Sequence, residues 1–155
     1  MLETLNRRIA EAADNIPPLI KEFLGAIEES EFKYSNEVYL KHFANMGIAV
    51  SYIKNLARTC NYPSDDEQLK ASFESLHAAL GALTQQVLAD AGDNAVSPRG
   101  SRIEIKRAEG HNARVDNEKH NLSDILNGIG VDIGGMETGI ELMQREQDKP
   151  AGRTL

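Results

Sequence analysis

The sequence predicts an all-α protein: an antiparallel four-helix bundle over 1–92, a connector, and an additional C-terminal helical segment. Three observations predict it. Apolar residues recur at spacings of 3 and 4 in segment after segment, the period of one helix face. Proline, glycine and capping residues punctuate those segments at intervals suited to short helix–helix connections. Alternation with period two, the mark of strands, is confined to one short stretch, Arg102-Ile103-Glu104-Ile105-Lys106.

The first helical face is Leu2, Leu5, Ile9, Ala12 and Ile16. Pro17 and Pro18 are expected to end it, because proline lacks the amide donor and restricts the residue before it. Asn15 then caps a second helix with a face of Leu19 or Ile20, Phe23, Leu24 and Ile27. Glu28 to Tyr34 is charged and patternless, a turn. Ser35 opens a third helix whose face includes Tyr39, His42 or Phe43, Met46, Val50, Ile53, Ala57 and Cys60. Asn61-Tyr62-Pro63 stops it, and Ser64-Asp65-Asp66-Glu67 has capping-box spacing, with Ser64 as the cap. Leu69, Phe73, Leu76, Leu80, Leu83 and Val87 form the fourth face, and Gly92 is a suitable stop.

Residues 93–120 change character. Turn chemistry around Ser97-Pro98-Arg99-Gly100 and the short alternating stretch suggest an exposed connector, with a short hairpin at most. Residues 121–147 are a Gly-rich amphipathic helical segment, followed by a flexible polar tail at 148–155. In this segment Leu122, Leu126, Ile129, Ile133, Met136, Ile140 and Met143 are spaced 4, 3, 4, 3, 4 and 3, an unbroken heptad seam. Gly128, Gly130, Gly134, Gly135 and Gly139 interrupt the same stretch. Against alanine they cost about 5 kcal/mol of helix propensity in total. An isolated helix of this length is marginal even when built from good formers. Something must therefore pack against the seam for it to coil.

Composition narrows the function classes. The chain has 155 residues, 17 Lys+Arg and 24 Asp+Glu, for a formal net charge of −7. The acidic bulk is a poor nucleic-acid footprint. The single cysteine, Cys60, excludes an internal disulfide. No apolar run approaches the ~18 residues needed to span a bilayer. The N-terminus has no apolar signal core and carries acids that a transit peptide avoids, so a cytoplasmic location is expected.

Several patterns suggest chemistry. Gly128-x-Gly130 lacks both the preceding strand and the third glycine of a dinucleotide fingerprint; that position is Ile133. His111 and His120, with Asp116 and Glu118 between them, do not amount to converging metal ligands. Arg99, Arg102, Lys106 and Arg107 form a basic stretch without aromatics for base stacking. Arg114-Val-Asp-Asn-Glu-Lys-His120 resembles the Arg-x4–6-His motif of HEPN-type ribonucleases. That resemblance covers seven residues. It implies a helical bundle in which His120 acts as general acid or base while Arg114 holds an RNA phosphate at a dimer interface.

The expected function is a non-catalytic protein-interaction or assembly module that docks through the apolar seam. Its partner is a protein or a second copy of the chain, with a homo-oligomer expected. No cofactor, metal, membrane or nucleic-acid partner is expected. The alternatives are the ribonuclease of Arg114 and His120, and a structural protein whose C-terminal segment only completes its own core.

Overall fold

A computed structural model describes residues 2–30, 34, 36–95 and 102–148, with side chains described over 2–30, 34, 36–91 and 117–146. The protein is all-α. Its four helices are α1 (Leu2–Glu29), α2 (Asn36–Thr59), α3 (Glu67–Ala95) and α4 (Arg102–Asp148). No strand occurs among the described residues.

These are not the four helices expected. Residues 2–29 form one helix with Pro17 and Pro18 inside it. An internal proline costs about 3 kcal/mol because it removes a backbone bond and crowds the preceding turn. Here both prolines lie on the exposed side, while Ala12, Ala13 and Ile16 before them and Phe23 and Ile27 after them are buried on one face. Packing along that face outweighs the local penalty. The fourth helix of the bundle is supplied instead by α4.

The connector is also shorter than expected. Helix α4 begins at Arg102, where the alternating stretch suggested a strand. Arg, Glu, Lys and Ala are good helix formers, and a helix already nucleated by a docked seam extends cheaply through them. Helix α3 likewise runs past Gly92 to Ala95. The turn sequence at 96–101 and the tail at 149–155 lie outside the described residues.

Helix α1 packs on α2 and α4, and α3 packs on α2 and α4, so the four enclose a single core. The α1–α4 pairing is the most extensive. Contacts match the start of one helix to the end of the next. Asn6 Nδ2 donates to the Ala57 carbonyl at 3.1 Å, and Tyr39 Oη donates to Asp90 Oδ2 at 3.0 Å. Leu19 faces Gly128, and Ile9 faces Gly139.

The α2–α3 loop is tightly specified. Cys60 has φ 53°, the left-handed conformation, which closes a Schellman arrangement. Asn61 N donates to Leu56 O at 3.4 Å and Cys60 N to Ala57 O at 3.3 Å. The fully buried Tyr62 donates its hydroxyl to Asn6 Oδ1 at 2.5 Å, and Gln144 Nε2 donates to Pro63 O at 3.0 Å. Both α1 and α4 thus hold the loop. The cap of α3 is Asp66, not Ser64: Asp66 Oδ1 accepts from Gln68 N at 2.9 Å and Leu69 N at 3.1 Å. Its Oδ2 accepts from Tyr52 Oη at 2.5 Å.

Two outcomes follow from this loop. Replacing Cys60 by glycine relieves the left-handed strain of a residue with a Cβ, and should raise stability in urea melts by about 0.5–1 kcal/mol. A loss of stability would mean that the Cys60 thiol contributes more than its backbone costs. The second concerns acid. The Tyr52 hydroxyl chiefly, helped by the Leu69 and Gln68 amides, holds the Asp66 carboxyl below its ordinary value, against an opposing effect of burial that exceeds that of either amide. Its folded value is depressed, so its contribution is complete above the unfolded carboxylate range and lost as pH falls through the folded value. Between about pH 6 and about pH 3 the parent should lose more stability than Asp66→Asn. Parallel decline of the two proteins would show that Asp66 adds no acid sensitivity.

Candidate functional site

The seam residues share one face of α4, and all seven are buried. Leu122, Ile129, Ile133 and Met136 have no exposure, and Leu126, Ile140 and Met143 are at most 3% exposed. They belong to the common core with Ile9, Ile16 and Phe23 of α1 and Leu76 and Leu83 of α3. In this arrangement the seam faces its own chain.

The glycines divide into two kinds. A Cβ at Gly139 would stand 2.6 Å from Ile9 Cγ1, a branch close to the α1 backbone. That glycine is what lets the two helices approach. A Cβ at Gly130 would lie 3.2 Å from Leu80 Cδ2, the end of a flexible side chain on α3. A Cβ at Gly134 meets nothing within 4 Å. Between them Asp132 is half-buried, and burial pushes its carboxyl above the usual range, partly offset by a hydrogen bond with Asn15 of α1.

Polar groups anchor the two ends of the bundle. At one end Asp90 is buried, with Tyr39 on Oδ2 and Gln86 Nε2 on Oδ1 at 2.8 Å. Phe23 packs against Tyr39 and Phe43, with ring centroids 5.2 and 5.1 Å apart. Nearby, burial first, and then the charges of Glu118 and Asp90, push the Tyr34 phenol up to about 12. At the other end stands the Asn6–Tyr62 clasp, where burial raises the Tyr62 phenol well above its ordinary value.

Beside that second end, a groove of about 330 Å³ runs between the start of α3 and the end of α4. Its floor is Leu69, Phe73 and Ile140; its rim carries Asp66, Glu74, Glu137 and Glu141, with Lys70 and His77. His77 Nε2 lies 3.0 Å from Glu137 Oε1 and ties α3 to α4. The groove was not legible beforehand. Its acids come from two segments far apart in the chain, and Asp66 reads as a helix cap.

The other candidates stay apart. His120 is exposed, with Nε2 3.8 Å from Asp124 Oδ2 one turn on. The side chains of Arg114, His111 and the basic stretch 99–107 lie outside the described residues. His42 and His77 are on different helices, and His77 pairs with Glu137. Cys60 is exposed in its loop. Among the described residues no group of three or more His, Cys, Asp or Glu is placed to hold a metal ion, and no helix is long and apolar enough to cross a membrane. No family model matches the chain, and neither a curated protein nor a solved structure matches it.

The two kinds of glycine should respond oppositely to alanine. Gly134→Ala is expected to stabilise the protein by up to about 1 kcal/mol through helix propensity alone. Gly139→Ala should destabilise it by about 1–3 kcal/mol, because α4 must move off α1. Urea unfolding measures both, and equal effects of the same sign would refute the close-approach assignment.

Proposed function

We propose that this chain is a non-catalytic interaction or assembly module in which α4 is the docking element. One observation carries the reading: a segment with five glycines over 128–139 is helical while all seven seam residues are buried on the surface offered by α1 and α3. Such a helix gains its order from the surface that receives it. The receiving surface is the same on every copy of the chain. Two copies can therefore exchange α4 and satisfy the same contacts, which gives a homo-oligomer without any new interface chemistry. The methionines Met136 and Met143 suit a seam that must fit a receiver it does not share a rigid element with.

The competing structural reading holds that α4 only completes its own core. Two mass-distinguishable forms of the full chain, refolded together at high concentration, separate the readings. Exchange predicts mixed dimers in sedimentation and native mass spectrometry, and these dimers should persist on dilution because α4 must detach before they part. Monomers alone at every concentration, including after co-refolding, would leave α4 as a core helix and end the assembly reading.

A further inference from the structure

We propose that the groove between the start of α3 and the end of α4 is a docking site for a basic, amphipathic segment of a partner protein. The groove exists only while α4 is docked on α3, so it requires that packing, but it does not require exchange between copies.

Its shape and its charge point the same way. The floor is apolar: Leu69, Phe73 and Ile140 are buried at 4%, 8% and 3% exposure yet line the opening. A volume of about 330 Å³ accommodates a few side chains, not an extended polymer. The rim carries four carboxylates against one ammonium, Lys70. Two of those acids are already engaged, Asp66 by Tyr52 and the α3 amides and Glu137 by His77. Among the described residues Glu74 and Glu141 have neither an ion-pair partner nor a hydrogen-bonding one. They sit on opposite walls, one on α3 and one on α4. A ligand that fills this space must place apolar groups on the floor and cations against both walls. A helix or strand with alternating faces of leucine-like and lysine-like side chains does both.

The wider charge distribution supports the same occupant. The net charge of −7 steers cationic partners toward the chain and repels acidic ones. Nucleic acid is disfavoured at this rim for the same reason. The walls are also held rigidly enough to present a site. His77 and Glu137 cross from α3 to α4, and Gln144 fastens the end of α4 to Pro63. A rim charge on a fixed backbone loses less freedom on binding than one on a loop.

The test uses the full chain and three probes: a synthetic amphipathic leucine/lysine peptide, its leucine/glutamate counterpart, and spermidine. Binding is followed by two-dimensional NMR, with affinity by calorimetry at two salt concentrations. The leucine/lysine peptide should shift signals of Leu69, Phe73, Glu74, Ile140 and Glu141 and bind more weakly at the higher salt. The glutamate peptide should not bind. In the double variant Glu74→Gln/Glu141→Gln, affinity should fall about tenfold, the size expected for two rim contacts. The control Glu28→Gln/Glu29→Gln removes the same charge from the end of α1, away from the groove, and should leave affinity within about twofold. Far-UV circular dichroism checks that both variants remain folded. Shifts spread over the whole acidic surface, equal losses in the two double variants, or no binding at all would overturn the proposal. Spermidine binding at the same residues as tightly as the peptide would also overturn it, since the floor would then contribute nothing.

Discussion

Everything in this fold depends on the close contact between α1 and α4. Each helix is intrinsically poor. One carries two internal prolines, and the other carries five glycines within three turns. Each is continuous because the other lies along it. Ala12 and Leu19, on either side of the prolines, face Gly135 and Gly128. Further along, Ile9 occupies the space that a side chain at residue 139 would need. Magnitudes decide the outcome. Burying three of the seven seam residues at roughly 2 kcal/mol each already offsets the propensity cost of about 5 kcal/mol. The glycines are therefore affordable only in the docked state, and the prolines are tolerated only where they point to water.

An apolar seam with heptad spacing does not fix its own register, because sliding by one repeat presents a similar face. For α4 that freedom is removed by Gln144 on the Pro63 carbonyl, by His77 against Glu137 and by Ile9 seated at Gly139, and the other helices are fixed by polar anchors at the two ends. Tyr39 reaches Asp90 from the start of α2 to the end of α3, and Asp90 is buried, so a slip of α2 along α3 would cost its carboxylate the Tyr39 bond. At the opposite end Asn6 both donates to Ala57 and accepts from Tyr62. Gln144 closes the same corner from α4. Apolar burial supplies the stability, and these few bonds select one arrangement out of the several that burial alone would permit.

The parts of this architecture that were legible in the sequence are those set by periodicity. The seam from Leu122 to Met143, the α2 face and the α3 face all depend on spacing, and spacing survives in any packed context. The errors fall where a local rule met a tertiary contact. Pro17-Pro18 reads as a stop because the rule counts the lost backbone bond and cannot count a helix lying alongside. Ser64 and Asp66 are both good caps, and the choice between them was made by Tyr52, fourteen residues earlier in the chain. Arg102 to Lys106 alternates by chance in a stretch whose residue types favour helix once the following turns are held. The groove had no local signature at all, since its walls come from the start of α3 and the end of α4.

The inward use of the seam constrains how this protein can meet anything else. A partner cannot reach Leu126 or Ile133 while α4 is in place, so contacts with other molecules must either replace α4 or use surfaces that its docking creates. The groove is of the second kind, and it is coupled to the first. A ligand touching both Glu74 and Glu141 binds only when α3 and α4 are side by side, and linkage then requires that the ligand favour the docked state over the detached one. Exchange between copies passes through detachment, yet its product rebuilds the same groove with one wall from each chain. A groove ligand would therefore slow exchange without shifting the balance between monomer and exchanged dimer, unless its affinity differs between the two settings. Kinetic control by ligand and thermodynamic neutrality follow from the same geometry, because the groove's walls belong to the two helices whose separation exchange demands.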